Sequence, residues 1–329
     1  MLFSIIGIAA YLKDQKAQES RIVVSADSTD IAPILIDIDE KPEIVEVPEE
    51  TIESQKVKAE EPITSSWPLT SEGLPTADRI EQLFTTSDKK LPVVKTISYK
   101  SRVPWMQGRP AWISDYATHF KTSRHFIARS LHGKGRYYKH DISNGDYFNV
   151  LDPDKDIEFY LLIDLSRCRC WFYVYDKDTH QRTLLKDYAV GLGRPDNLKS
   201  SGLLTPRGKY SLGDRIAAYK PKTTGFHNGR KVELIRTFGT RWIPFEKEIS
   251  NTTSPAKGYG IHGVPWTEDP ETGELKEDLT SLGTYSSDGC IRMASDDVEE
   301  VYAIIATKPS FVELVSDFHD AKLPGEEYQ

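Results

Sequence analysis

The sequence of 329 residues predicts a mainly β domain of sandwich or barrel type at 154–318, with a small α+β module before it at 91–153. Two observations predict the β domain. Short apolar stretches that alternate with period two begin near residue 157, and glycine-containing turns separate them. A single long helical pattern follows, just after Cys290. The segments 1–14, 15–90 and 319–329 are expected to be appendages, the last of them a short tail.

The N-terminus begins with an apolar run of eleven residues, Leu2 to Leu12. A membrane-spanning helix needs roughly 20 residues, so this run is too short to span alone. Its length fits the apolar part of a signal peptide, although the usual basic start is missing. We interpret 1–14 as an export signal or anchor, and a short apolar helix or strand is the alternative.

An acidic, proline-containing stretch follows at 15–90. Between Arg21 and Ile63 there are twelve acidic and four basic residues, a net charge of −8 that equals the net charge of the whole chain. Such a composition buries too little apolar surface to fold alone, which predicts an extended spacer or a plain disordered tail. The remainder is nearly neutral and has no Lys/Arg run, so nucleic acid is not an expected partner.

The α+β module at 91–153 contains two helical patterns. WISDYATHFKTS has helical apolar spacing, and SRHFIARSL follows with Ser123 as its predicted N-cap. DISNGDYFNVL then gives a turn and a strand-like end. This order resembles the end of a LysM module, a small glycan-binding unit, although no first strand is evident. A small packing domain without a binding role is the alternative.

The β domain opens with two alternating strands. IEFYLLIDL and CRCWFYVY each place one set of apolar side chains on a common face: Ile157, Phe159, Leu161, Ile163 and Leu165, and then Cys168, Cys170, Phe172 and Val174. Two cysteines on one strand face are poorly placed to bridge each other, so we interpret both as core residues. YAVGLG and GKYSLGD predict further strands.

Cys290 lies in SSDGCIRM, directly before a predicted helix. Ser295 is the expected N-cap, two aspartates follow it, and a buried face continues at Val298, Val301, Tyr302 and Ile305. Pro309 ends the helical pattern, and FVELV reads as a final strand. Cys290 is therefore expected on a loop, where reactive residues are common.

A thiol needs a base or a nearby cation to become a good nucleophile. His262, in GYGIHGV, is the best candidate base, and His262 and Gly263 are expected to begin a turn after a strand. Gly289 would permit close approach and leave the N–H of Cys290 free to bind an oxyanion, while Arg292 offers charge for a carboxylate. This pattern favours Cys–His acyl transfer over a buried cysteine and an unrelated turn histidine. No cysteine spacing suits zinc, and no metal or other cofactor is expected.

SSDGCIRM resembles the S-x-G-C-I-R-[ML] signature of the L,D-transpeptidase catalytic domain (the YkuD family), and GYGIHG resembles that family's histidine motif. Further similar pieces occur in family order: IDLSRCRCWFYVYD, YAVGLGRPD, LLTPRGKY and FGTRWIPF. The resemblance runs from about Ile157 to Val315, roughly half the chain.

The resemblance implies a peptidoglycan enzyme of the cell envelope. Its cysteine attacks the carbonyl of the third residue in a stem tetrapeptide, the terminal D-amino acid leaves, and an amine of a neighbouring stem resolves the thioester as a 3→3 cross-link. Glycan strands are a further partner through the LysM-like module, and the membrane is one only through the N-terminal anchor. The implied roles, by position, are nucleophile for Cys290, general base for His262, oxyanion-hole or orienting residues for Gly289 and the Gly263 carbonyl, and substrate binding for Arg292, Tyr259 and Trp266.

The chain departs from the family pattern in two places. Cys290 follows His262 by 28 residues, a longer interval than usual, and the surplus at 268–280 is expected at the rim of the cleft. Asp288 occupies a position that is often basic in relatives.

Three alternative functions remain. Water as acceptor would make the protein an L,D-carboxypeptidase or endopeptidase, and a domain without activity would make it a cell-wall-binding scaffold. A papain-like hydrolase fits less well, because its cysteine usually precedes its histidine.

Overall fold

The computed structural model describes residues 68–132, 142–213, 217–227 and 229–327. The expected N-terminal signal or anchor and most of the acidic spacer lie outside these residues. Within the described ranges, no helix is long and apolar enough to cross a membrane. The α-helices are α1 (Glu81–Phe84), α2 (Ile113–His119), α3 (Arg124–His132), α4 (Ile235–Phe238) and α5 (Ser295–Ile305).

The strands of this part of the chain are mostly short. In chain order they are β1 (Val94–Ser98), β2 (Tyr147–Leu151), β3 (Ile157–Asp164), β4 (Arg169–Asp176), β5 (Gln181–Ala189), β6 (Leu192–Gly193), β7 (Gly208–Leu212), β8 (Ala217–Ala218), β9 (Thr224–His227), β10 (Arg230–Glu233), β11 (Arg241–Ser250), β12 (Gly260–Gly263), β13 (Trp266–Glu268), β14 (Leu275–Glu277), β15 (Tyr285–Ser287), β16 (Ile291–Met293), β17 (Ser310–Val315) and β18 (Glu326–Glu327). Short 3₁₀ turns occupy Leu279–Ser281 and Phe318–Asp320.

One curled sheet organises the β domain and confirms the predicted fold class. Its strand order is β16-β12-β11-β7-β17-β3-β4-β5-β18, and β8 pairs separately with β11. Most neighbours are antiparallel, but three pairs are parallel: β17 with β3, β16 with β12, and β18 with β5. The helix α5 connects β16 to β17, as the sequence predicted.

The alternation in β3 and β4 has the predicted consequence. All nine apolar residues assigned to one face are buried in the main core, and Cys168 and Cys170 have no exposed surface. The core interpretation of these two thiols is therefore confirmed. The opposite face is also buried, at Tyr160, Leu162 and Trp171, because the C-terminal segment covers it. That segment is not the free tail expected at 319–329, since Ala321 and Leu323 pack there and β18 pairs with β5.

The module at 91–153 has the order β1-α2-α3-β2, with β1 and β2 antiparallel. The two helices match the sequence patterns, and the Phe126 N–H donates to the hydroxyl of Ser123 at 2.9 Å, the expected N-cap contact. The sequence showed no strand before the first helix of the module, and this interpretation was wrong, because β1 lies there. The strand Val94–Ser98 was missed because only its first residue is buried, so its sequence VKTIS carries no full alternating pattern.

Two contacts fix this module against the β domain. Phe126 of α3 is fully buried in the main core, with its ring centroid 5.0 Å from that of Phe84. The Ser123 hydroxyl also donates to the carbonyl of Ala303 in α5 at 2.5 Å. The module therefore packs on the helix that follows Cys290.

The expected spacer ends earlier than predicted, because residues 68–90 are folded onto the β domain. Ile80, Leu83 and Phe84 enter the main core, and the Trp171 indole N–H donates to the carbonyl of Pro75 at 2.7 Å. The polar composition of this segment gave no indication that it packs on the β domain. Three apolar side chains in a polar segment gain their burial only from the sheet surface beneath them.

Candidate active site

Cys290 lies half-buried on the loop between β15 and β16, five residues before the first residue of α5. Gly289 has a φ of +122°, which side-chain-bearing residues rarely adopt. A Cβ atom there would lie 2.8 Å from the ring of Tyr259 and 2.9 Å from the carbonyl oxygen of Leu204. The glycine before the thiol is therefore required both by backbone conformation and by close packing.

Two buried hydroxyls hold this loop. The Ser287 Oγ donates to the carbonyl of Cys290 at 2.6 Å and accepts the N–H of Gly289 at 3.1 Å. The Thr205 Oγ1 donates to the carbonyl of Gly289 at 3.0 Å and accepts the N–H of Gly193 at 2.7 Å. Sequence reasoning missed both roles. The only signal was that each residue sits inside a motif, SSDGCIRM or LLTPRGKY.

The parallel pairing of β12 with β16 sets the relation between thiol and imidazole. His262 lies opposite Arg292, and Ile261 lies opposite Ile291 in the core. Because side chains alternate along a strand, His262 and Arg292 project from the face opposite that core. The expectation that His262 and Gly263 begin a turn was wrong, since both belong to β12.

The thiol of Cys290 lies against the backbone that enters β12. Its Sγ is 3.7 Å from the carbonyl oxygen of Gly258 and also receives the N–H of Gly260. Burial raises the pKa of the Cys290 thiol to about 11, the Gly260 N–H and Arg292 lower it, and Asp288 raises it. The free thiol is therefore protonated at neutral pH.

His262 is buried, with 4% of its surface exposed. Its Nδ1 lies 2.7 Å from the carbonyl oxygen of Gly263, which favours a proton on Nδ1 and leaves Nε2 as the acceptor. The rings of Phe238 and Trp242 flank it, with centroids at 5.4 and 5.8 Å. Burial lowers the pKa of His262 to about 4, against the opposing effect of the Gly263 carbonyl. The imidazole is therefore neutral at pH 7 and able to accept a proton.

Arg292 is a partly desolvated cation beside the thiol. Its Nη1 donates to the hydroxyl of Ser286 at 3.2 Å, and its buried Nε has no hydrogen-bond partner among the described residues. Burial lowers the pKa of the guanidinium. Its backbone N–H and carbonyl both bond to Gly191, so the position of the strand is fixed on this side. A cation placed in this way can receive an anionic group.

Asp288 does not face the imidazole as a lone charge. Its carboxylate forms an ion pair with Arg194, and both side chains are largely exposed. The pair lies at the mouth of the loop, where solvent screens it. Its influence on Cys290 is accordingly the smallest of the effects on that thiol.

The segment expected at the cleft rim forms a hairpin of β13 and β14, with Trp266 as its first residue. The Trp266 indole N–H donates to the Ser295 hydroxyl at 3.2 Å. A carboxylate oxygen of Glu277, at the end of the hairpin, accepts the N–H of Ser295 at 2.8 Å. The predicted N-cap was therefore wrong: Ser295 is the first helical residue, Ala294 is the N-cap, and Glu277 satisfies the N-terminal amide.

The other predicted wall residue, Tyr259, packs against Gly289 and the main core and is partly exposed. The structure therefore places Cys290 beside the first residue of β12 and His262 opposite Arg292 in the same strand pair, with Tyr259 next to Gly289. Trp266 contacts the beginning of α5 instead, through Ser295. The Gly289 N–H is engaged by Ser287, which leaves the N–H of Cys290 as the candidate donor for an oxyanion.

Comparison with known proteins finds similar chains and one family model. A protein of Bacillus subtilis (strain 168) named "Putative L,D-transpeptidase YqjB" is 26% identical over 143 residues, which cover 41% of this chain and 65% of that protein. Solved structures with similarity include the helical cell shape determining protein Pgp2 from Campylobacter jejuni (19% identity, 52% of this chain and 50% of that chain, TM-score 0.32). Another is Bd1075 from Bdellovibrio bacteriovorus (15% identity, 48% of each chain, TM-score 0.33).

A third solved structure is a fragment of the L,D-transpeptidase from Xylanimonas cellulosilytica DSM 15894, with 12% identity and a TM-score of 0.26. It covers 78% of this chain and 100% of that chain. The chain thus spans only about half to two thirds of the length of YqjB, Pgp2 and Bd1075.

The family model for the L,D-transpeptidase catalytic domain, YkuD, matches residues 158–314, inside the predicted limits of 154–318. This part of the chain is accordingly similar to the catalytic domain of YkuD-family L,D-transpeptidases.

Proposed function

We propose that the protein is a peptidoglycan L,D-transpeptidase that forms 3→3 cross-links through a thioester on Cys290. The observation that carries the proposal is that one pair of parallel strands, β12 and β16, positions a thiol, a neutral buried imidazole and a cation, within the residues that match the YkuD model. The three side chains supply a nucleophile, a proton acceptor and a carboxylate partner. These are the groups that acyl transfer from a peptide requires.

In the first half-reaction, the Cys290 sulfur attacks the carbonyl of the third stem residue while its proton passes to Nε2 of His262. The N–H of Cys290 stabilises the developing oxyanion, and the Gly263 carbonyl holds the imidazole in the correct tautomer. The C–N bond then breaks, the imidazolium gives its proton to the leaving amine, and the thioester remains. Arg292 binds the substrate carboxylate, and Tyr259 forms part of the cleft wall.

The second half-reaction reverses these roles. An amine of a neighbouring stem attacks the thioester carbonyl, His262 accepts the proton of that amine, and the C–S bond breaks. The thiol leaves with the proton from the imidazolium, and the new amide is the cross-link. Water in place of the amine would give a tripeptide product and hence a carboxypeptidase.

The pKa values of the two groups determine how the attack begins. A thiol with a pKa of about 11 beside an imidazole with a pKa of about 4 rests as a neutral pair, not as thiolate and imidazolium. Deprotonation therefore accompanies attack on the bound carbonyl. This arrangement keeps the free enzyme poorly reactive toward adventitious electrophiles.

The module at 91–153 is proposed to bind glycan strands as a LysM-like unit. Its β-α-α-β order supports the resemblance, and Trp112 and Tyr147 offer exposed rings of the kind that stack on sugars. Because Ser123 and Phe126 fix the module to α5 and the main core, bound glycan would stay in a constant relation to Cys290. The protein would act in the cell envelope, where peptidoglycan lies.

Incubation with a purified disaccharide tetrapeptide, followed by mass spectrometry, tests the activity. A dimer that lacks one terminal D-alanine supports transpeptidation, while tripeptide alone supports hydrolysis. Cys290→Ala should give neither product, and Cys168→Ala, which changes a core thiol, serves as the matched control and should retain activity. No product from the wild-type protein would leave the cell-wall-binding scaffold as the better description.

A further inference from the structure

A polar cavity of about 270 Å³ lies at the joined ends of β7, β11 and β17, away from the thiol loop. It is large enough for several water molecules or one amino-acid-sized ligand, at about 30 Å³ per water. Its charged lining contains three cations and two carboxylates: Arg207, Lys209, Lys322, Glu313 and Asp320. None of these residues has a role in the proposed acyl transfer.

Glu313 is the distinctive member of this lining. It is 8% exposed, on a strand in the middle of the large sheet. One carboxylate oxygen accepts the backbone N–H of Lys322 at 3.0 Å, while the buried Oε2 has no hydrogen-bond partner among the described residues. A buried carboxylate oxygen without a donor is costly, so the site is built to receive one.

The neighbouring lysine does not supply that donor. Lys209 lies directly opposite Glu313 in the β7–β17 register, where an ion pair would be simple to form. Its Nζ instead lies over the rings of Tyr160 and Phe311, 4.7 and 5.3 Å from their centroids. The carboxylate and the ammonium thus stay separate, and each remains able to interact with a ligand.

Arg207 forms a fixed wall of the cavity. Its Nη1 donates to the Ser316 hydroxyl at 2.9 Å and its Nη2 donates to the carbonyl of Ser200 at 2.7 Å, so the guanidinium is held in place. The lining as a whole carries one more positive than negative charge. A ligand with both an ammonium and a carboxylate matches this distribution better than a simple anion or cation does.

We propose that this cavity binds a small zwitterion, namely a free amino acid or the amino-acid end of a peptide. The ligand ammonium donates to Oε2 of Glu313, and the ligand carboxylate is held by Lys209 with support from Lys322. The proposal goes beyond the acyl-transfer site and does not depend on it, because it concerns binding without turnover.

Calorimetric titration of the Cys290→Ala protein tests the proposal without any chemistry at the thiol. The probes are D-alanine and L-alanine, with N-acetyl-D-alanine and D-alaninamide as matched compounds that lack the ammonium or the carboxylate. Saturable binding of an alanine is expected, with both matched compounds weaker by about tenfold or more, since each lacks one charged contact. No saturable binding of either alanine, or equal binding of N-acetyl-D-alanine, would overturn the proposal.

Two variants locate the binding. Glu313→Gln should weaken alanine binding by about tenfold or more, because it loses the charge that receives the ammonium. Lys209→Met keeps the stem over the two rings and should weaken alanine but not alaninamide, so it tests the site even if the first variant fails to fold. Asp154→Asn, at an exposed carboxylate outside the cavity, is the control and should bind normally. Unchanged binding in Lys209→Met, or in a folded Glu313→Gln, would contradict the assignment.

Discussion

The resting state of Cys290 can be tested by its rate of alkylation with iodoacetamide across pH 6 to 10. Burial raises the pKa of this thiol from 9.0 to about 11, so its thiolate fraction at pH 7 is about 100-fold smaller than that of an exposed thiol. The more basic thiolate is intrinsically about tenfold more nucleophilic, which offsets part of that loss. The net expectation is alkylation roughly tenfold slower than in an unstructured cysteine peptide.

The shape of the profile is more decisive than the absolute rate. For a neutral thiol, the logarithm of the rate should rise with a slope near one up to pH 10, with no plateau. A rate that is constant from pH 6, or that reaches a plateau below pH 8, would show a thiolate–imidazolium pair and refute the reasoning. Cys290→Ala is the control for the fully buried Cys168 and Cys170, which should not react while the protein is folded.

Further predictions concern stability and loop geometry. His262 has a folded pKa of about 4 against 6.5 for the ordinary side chain, so the unfolded state binds the proton first. As pH falls from 6.5 to 4, the wild type should therefore lose about 3 kcal/mol more unfolding free energy than His262→Gln, measured by urea denaturation; parallel curves would contradict this. Ser287→Ala removes two loop hydrogen bonds and should cost about 2–4 kcal/mol in denaturation, with a larger loss of activity than Cys168→Ala shows. Phe126→Ala should destabilise the protein by about 3–5 kcal/mol in a single transition, and a separate early transition would show an independent module.

The alternating strands were predictable because both sequence and burial repeat with period two. The assignment of Cys168 and Cys170 to the core followed from that period alone, and it left Cys290 as the distinct thiol. The His-Gly and Gly-Cys motifs also singled out two segments that the structure places side by side. Here the information is local, since the His-Gly motif lies within β12 and the Gly-Cys motif directly precedes β16.

Features that depend on distant packing were not predictable. Ile80 and Phe84 lie in a polar segment, and only the sheet beneath them gives their burial. Serine is a residue type that N-cap positions favour, so Ser295 was expected there. The Ser295 N–H instead donates to the carboxylate of Glu277 from the hairpin, and the helix begins one residue earlier than expected. The hydrogen bond from the Thr205 hydroxyl to the Gly289 carbonyl joins residues 84 positions apart, and no local sequence pattern predicts such a contact.

The central claim is that Cys290 carries an acyl group, and intact-protein mass spectrometry tests it most directly. Wild-type protein mixed briefly with the tetrapeptide substrate should gain the mass of the acyl tripeptide, and peptide mapping should locate the adduct at Cys290. The Cys290→Ala protein should gain nothing under the same conditions. An adduct on the alanine variant, or product formation by that variant, would contradict the account.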